Sequence, residues 1–114
     1  MGLTFKENCP DIRHSRVFDI IYYLKKKNVN IEIFDPWLDN EDKNKLRNLK
    51  FINSLPVKKK YDSIIIAVAH NQFKEIPFVR IKKLLKTDGF IYDVKRILNK
   101  NESYIESLWS RELV

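Results

Sequence analysis

The sequence predicts a three-layer α/β/α fold, Rossmann-like, on a parallel sheet of about four or five strands. Two observations carry this. Residues 63–69 read Ser-Ile-Ile-Ile-Ala-Val-Ala, an unbroken apolar run. A strand with one wet face alternates, whereas a strand covered on both faces is apolar throughout, as in parallel sheets packed under helices. Strand-like and helix-like segments also alternate along the 114 residues, a length that suits one domain spanning residues 1–114.

The elements follow in order. Residues 3–5 read as the tail of a strand and residues 6–13 as a polar loop containing Pro10. Ser15 is placed as a helix N-cap. Val17, Phe18, Ile20, Ile21 and Leu24 then fall at helical spacing, with Asn28 as the stop. Residues 30–34 alternate and form a strand, which Asp35-Pro36 ends. Residues 40–50 place acids first and bases last, with Leu46 and Leu49 facing inward, which predicts a surface helix. Phe51-Ile52 is a short edge strand. After the apolar strand, His70, Asn71, Gln72 and Phe73 form its exit loop. Phe78, Ile81, Leu84 and Leu85 mark another helix, with Gly89 as its cap. Residues 90–94 form a further strand, and residues 103–113 a C-terminal helix carrying Trp109. Only three strand residues precede the first loop where about five are usual, so the first strand is expected to be truncated. In such sheets ligands bind beyond the carboxyl ends of the strands. The loops to examine are therefore 6–13, 35–37, 70–73 and 95–98.

Composition excludes several classes. No apolar run is long enough to cross a bilayer, and the first residues carry no signal-peptide pattern. A single cysteine cannot form an internal disulfide, which makes a reducing, cytoplasmic setting the expectation. The net charge of +7 suits an anionic partner, but Lys and Arg are scattered through every segment rather than gathered in a stripe. No helix-turn-helix or RNP pattern is present, so nucleic acid is not the expected partner. The two histidines, Cys9 and the aspartates lack metal-ligand spacing, so no metal is expected.

Four segments then bear a resemblance. Residues 2–13 read Gly-Leu-Thr-Phe-Lys-Glu-Asn-Cys-Pro-Asp-Ile-Arg, followed by His14 and Ser15. Ile33-Phe34-Asp35-Pro36, Ala67-Val68-Ala69-His70-Asn71-Gln72-Phe73 and Tyr92-Asp93-Val94-Lys95 follow in order. Together they resemble the C-terminal, UDP-binding domain of the UDP-glucose/GDP-mannose dehydrogenase family. The spelling of the first segment is similar to the branch that oxidises UDP-N-acetylhexosamines for Vi-type capsules and O-antigens. The resemblance implies an NAD-dependent UDP-sugar 6-dehydrogenase. Its Rossmann domain binds NAD, its central region supplies a catalytic cysteine, and this domain closes over the UDP-sugar. It also implies two successive oxidations at the sugar C6, through a thiohemiacetal and a thioester. This chain has no Gly-x-Gly-x-x-Gly and no cysteine block, so the expectation is a domain that binds no NAD and is inactive alone.

By the same resemblance, Phe5 and Lys6 lie against the sugar nucleotide, although Phe5 could equally be a core aromatic, and Lys95 stands where another branch uses arginine on the UDP. Lys6 is the leading site residue, since an ammonium at a strand's end suits phosphate or an exposed carbonyl. Arg96 stands where glycine is expected, and either adds a phosphate contact or crowds the loop. His14 likewise replaces an expected asparagine. Gly2 permits close backbone approach, and Asp11 and Arg13 pair to hold the loop. His70 ends the main strand at the ligand-facing edge, either beside the interdomain cleft or as a satisfied loop histidine. Cys9 is not the family's nucleophile, and no catalytic residue is assigned. Two competing readings stand beside this one: an inactive truncated remnant, and a small basic nucleic-acid-binding α/β module.

Overall fold

The computed structural model describes residues 1–98 and the backbone of residues 105–106. Its regular elements are α1 (Val17–Lys26), α2 (Asn40–Lys45), β1 (Tyr61–Ile66), α3 (Asn71–Lys74), α4 (Phe78–Lys82), β2 (Leu85–Asp93) and β3 (Ile105–Glu106). The three strands form one parallel sheet in the order β1-β2-β3. The predicted α/β class and the parallel pairing of the apolar run both appear.

Backbone hydrogen bonds extend this row beyond the three strands. The Ala67 N–H donates to the Met1 carbonyl at 2.9 Å, and the Gly2 N–H donates to the Phe34 carbonyl at 2.8 Å. Ile33 in turn makes a parallel bridge to Phe51. The predicted strand segments 30–34 and 51–52 thus meet at one bridge, and residues 3–5 form no strand, with a bend over residues 4–6. The bend has a cause, since Leu3 and Thr4 turn their N–H groups to the Asp35 carboxylate instead of a neighbouring strand.

Two core clusters form. Ile64, Ile66 and Ile91 of the sheet pack with Phe73 of α3, Ile81 of α4, and Leu84 and Leu85. Leu3, Ile21 of α1, Ile33, Leu38 and Leu49 form the second. Burying one such aliphatic side chain stabilises by about 1.5–3 kcal/mol, so these clusters fix the sheet's position under the helices. Between residues 30–34 and β1 lies a cleft of about 770 Å³, lined also by Ile20, Ile21 and Leu24.

Several boundaries differ from the sequence reading. α1 starts one residue later than a Ser15 cap would give, with Arg16 in the cap position. The Ser15 hydroxyl still serves it: it donates to the Leu3 carbonyl at 2.6 Å and accepts the Val17 N–H at 3.3 Å. Asn28 does end the helix, at φ 60°, with the Val29 N–H reaching back to the Leu24 carbonyl. The helix predicted over 40–50 closes at Lys45, although Leu49 is buried as expected. Gly89 is not a helix cap; it lies inside β2, where the strand bulges between Leu85 and Phe90. A Cβ there would stand 3.0 Å from the Asp62 carbonyl oxygen, so close backbone approach is what the glycine permits. Within the predicted C-terminal helix, Ile105 and Glu106 instead pair with β2, because their backbone completes its free edge. The rest of that segment, with Trp109, lies outside the described residues.

Candidate functional site at the carboxyl edge of the sheet

Three chain segments leave the same edge of the hydrogen-bonded row: residues 3–13, 67–73 and 94–98. Each is anchored by a buried polar group at or near a strand end.

Asp35 is the hub. Its side chain is fully buried, yet it is thoroughly satisfied. Oδ2 accepts the N–H groups of Leu3 at 2.7 Å and Thr4 at 3.2 Å, and Oδ1 accepts that of Trp37 at 2.8 Å. His70 Nε2 lies 3.0 Å from Oδ2. A buried carboxylate is tolerated only with such a donor set.

His70 is also fully buried. Its Nδ1 accepts the Asn8 N–H at 2.9 Å, and Thr4 Oγ1 lies 3.2 Å from Nε2. Thr4 Oγ1 in turn donates to the Lys6 carbonyl at 3.1 Å. Asn8 sits at φ 55°, a conformation asparagine tolerates, and its side-chain oxygen accepts the Asn71 N–H at 2.9 Å. Residues 4–8 are thus held at both ends by the loop after β1. The Phe5 N–H donates to the Asp11 carbonyl at 2.7 Å and closes the turn from the other side.

Gly2 enters this region at φ 95°, and a Cβ would fall 2.7 Å from the Val68 Cβ. Both conformation and space therefore require glycine. Asp11 and Arg13 form the expected pair, two-pronged, with Arg13 Nη2 at 2.9 Å and Nε at 3.0 Å from the carboxylate. The Arg13 hydrogen bonds hold the Asp11 carboxyl at about 2, below its ordinary value.

The loop after β2 is built differently. Asp93 is buried and accepts two N–H groups of its own loop, Ile97 at 3.1 Å and Leu98 at 2.9 Å. Arg96 sits at φ 56°. Left-handed backbone is where glycine is at ease, which gives the expected glycine at this position its physical reason. His14 likewise sits at φ 62°, where asparagine is better tolerated. Both departures noted in the sequence thus fall on left-handed residues.

The two candidate lysines are displayed rather than consumed. Lys6 and Lys95 are exposed, and among the described residues neither has a side-chain hydrogen bond or ion pair. Phe5 is 53 % exposed, so it is not the core aromatic that its residue type allowed. Lys6 follows the segment on one side of β1, and Lys95 follows β2 on the other. Two strand spacings, roughly 10 Å, separate these exits. Trp37 Nε1 donates to Gln72 Oε1 at 3.0 Å, which places the indole against the same loop. Sequence reasoning named His70 but missed its burial and its pairing with Asp35. The available signal was two polar residues, each at the end of an apolar strand. Among the described residues no helix is long and apolar enough to cross a membrane, and no His, Cys, Asp and Glu cluster could hold a metal.

Parallel strands, helices packed on the sheet, and loops anchored at its carboxyl edge define the class as an α/β domain, a class in which ligands bind beyond that edge. Its family follows from comparison. The model of the UDP-glucose/GDP-mannose dehydrogenase family, UDP binding domain, matches residues 1–100. The chain is 42% identical over 103 residues to the UDP-N-acetyl-D-glucosamine 6-dehydrogenase of Pseudomonas aeruginosa, covering 90% of this chain and 24% of that protein. It is 41% identical over 104 residues to the Salmonella typhi protein of the same name, covering 90% and 24%. With Protein CapL of Staphylococcus aureus it shares 36% identity over 110 residues, covering 96% and 26%. The chain belongs to the UDP-glucose/GDP-mannose dehydrogenase family, as its UDP binding domain. It spans about a quarter of the length of these curated relatives.

Proposed function

We propose that residues 1–114 form the C-terminal UDP-sugar-binding domain of an NAD-dependent UDP-sugar 6-dehydrogenase acting on a UDP-N-acetylhexosamine. The names of two relatives support that substrate class, and the name CapL fits a role in cell-surface polysaccharide synthesis. The observation that carries the reading is the pair of exposed lysines, Lys6 and Lys95, which make no side-chain hydrogen bond or ion pair among the described residues and sit on two anchored loops at one sheet edge. Two such cations suit a diphosphate, and the exposed Phe5 beside Lys6 offers a face to a base or sugar. Arg96, on the same loop as Lys95, adds a third charge toward the ligand. Gly2, Asp11, Arg13 and His70 shape the loop that carries Lys6.

In this reading the other dehydrogenase domains hold NAD and the catalytic cysteine. The only glycines here are Gly2 and Gly89, so no dinucleotide-binding loop is present. This domain supplies binding and orientation of the substrate, not chemistry. The two core clusters, one with α1 and one with α3 and α4, support a three-layer Rossmann-like arrangement, and the hydrogen bonds from Ala67 to Met1 and from Gly2 to Phe34 support a row of about four or five strands. The single cysteine supports a cytoplasmic enzyme.

Calorimetric titration of the chain with UDP and UDP-N-acetylglucosamine tests the reading. Binding should be saturable, and Lys6→Ala should weaken it by about tenfold or more, as loss of a charge-assisted hydrogen bond does. Absence of binding by a folded chain, or salt-sensitive DNA binding in its place, would count against it.

A further inference from the structure

We propose that His70 is the positioning residue of the Lys6 loop, and that it acts through one ring tautomer, with the proton on Nε2. The inference deepens the binding reading above and rests on it for its ligand.

The donor pattern selects the tautomer. The Asn8 N–H points at Nδ1, 2.9 Å away, and a backbone N–H can only donate. Nδ1 must therefore accept, and it carries no proton. The ring proton then lies on Nε2, directed at Asp35 Oδ2 at 3.0 Å, with Thr4 Oγ1 as a second neighbour at 3.2 Å. Thr4 Oγ1 uses its own proton on the Lys6 carbonyl, so it too faces Nε2 as an acceptor. Asp35 accepts the N–H groups of Leu3, Thr4 and Trp37, and the Nε2 proton completes the donor set around it. Each polar atom of the network has one consistent role.

The consequence is mechanical. His70 touches Thr4 with one nitrogen and Asn8 with the other, and Lys6 lies midway between them. The ring is fully buried against Phe73, at 5.2 Å between centroids, and cannot swing away. A rigid imidazole thus spans the turn from which Lys6 projects. The Asp35 carboxylate fixes the ring's orientation, and the ring fixes the turn. His70 itself is buried and touches no ligand.

Two conservative variants separate the ring's two contacts. The amide oxygen of His70→Asn stands near the Nδ1 position and keeps the acceptor for Asn8. The amide nitrogen of His70→Gln stands near Nε2 and keeps the donor to Asp35. Calorimetry with UDP should show His70→Asn within about threefold of wild type and His70→Gln weakened about tenfold, the loss of one hydrogen bond. A merely structural role would lower both affinities in step with melting temperature, and that result would overturn the proposal. Nitrogen-15 NMR of the unsubstituted chain needs no variant. It should show a protonated Nε2, a bare Nδ1 and a slowly exchanging Asn8 amide; a proton on Nδ1 would refute the assignment. If wild type binds no UDP, the functional reading fails separately, and Asn8 amide exchange decides alone. Slow exchange in wild type and His70→Asn, with fast exchange in His70→Gln, supports positioning. Equal protection in all three overturns it.

Discussion

The loop after residues 1–3 and the loop after β2 leave the same sheet edge, and each is organised by a buried aspartate. Asp35 reaches across to a different segment, holding the N–H groups of Leu3 and Thr4 and the ring of His70. Among the described residues the Asp93 side chain holds only its own loop, at Ile97 and Leu98. The first loop is thus assembled from three distant stretches of sequence and exists only when the domain is folded. The second is a local turn that its own strand end can organise. Lys6 therefore owes its placement to tertiary structure and Lys95 to local structure.

Asp35→Ala should be the most damaging change to this edge, costing about 3–5 kcal/mol, because it strands buried donors around His70. Urea denaturation measures it, and a loss no larger than that of Asp93→Ala would break the contrast. Asp93→Ala should cost about 1–3 kcal/mol, the worth of two hydrogen bonds to a buried carboxylate. Hydrogen exchange should speed up at Ile97 and Leu98 while Asn8 stays protected. Arg96→Gly should act in the opposite sense and stabilise by about 1 kcal/mol, relieving a left-handed arginine. The melting temperature should rise accordingly, while UDP affinity falls if Arg96 contributes charge.

The smallest effect concerns the Asp11–Arg13 pair on the rim of the first loop. The folded value of the Asp11 carboxyl, about 2, lies below its unfolded value. Its contribution is therefore present above the unfolded value of about 4 and disappears as pH falls toward 2. The pair is exposed, with Arg13 82% accessible, so solvent screens it heavily. Melting curves between pH 4 and pH 2 should be only slightly flatter for Asp11→Asn than for wild type. A large difference would mean the rim, rather than Asp35, holds the loop.

The same contrast explains what was legible in the sequence. The unbroken run Ile64-Ile65-Ile66 announced a strand of a parallel sheet, and it is β1, with Ile64 and Ile66 buried and Ile65 half-buried. Asp35-Pro36 marked the end of residues 30–34 through local chemistry, whereas the strand predicted over 90–94 ends at Asp93. The Asp11–Arg13 pair was readable because its members lie two residues apart. His70 was named, but its pairing was not readable, since its contacts to Asp35 and Thr4 are 35 and 66 residues away. Periodicity has no access to such pairings, and a polar residue after a strand reads as a loop. Gly89 misled for a related reason: its need for close approach comes from the Asp62 carbonyl of β1, not from the helix before it. Residues 30–34 alternate as a strand should, yet regular pairing is reduced to the bridge between Ile33 and Phe51.

The central claim is that the tertiary loop carrying Lys6 and the local loop carrying Lys95 together hold UDP. The most direct measurement is a titration of the nitrogen-15-labelled chain with UDP, followed by amide chemical shifts. The account predicts saturable shifts concentrated at residues 4–8 and 94–98, with smaller ones at 70–73. Shifts scattered over the surface lysines of α1 and α2, or none at all in a well-folded chain, would contradict it.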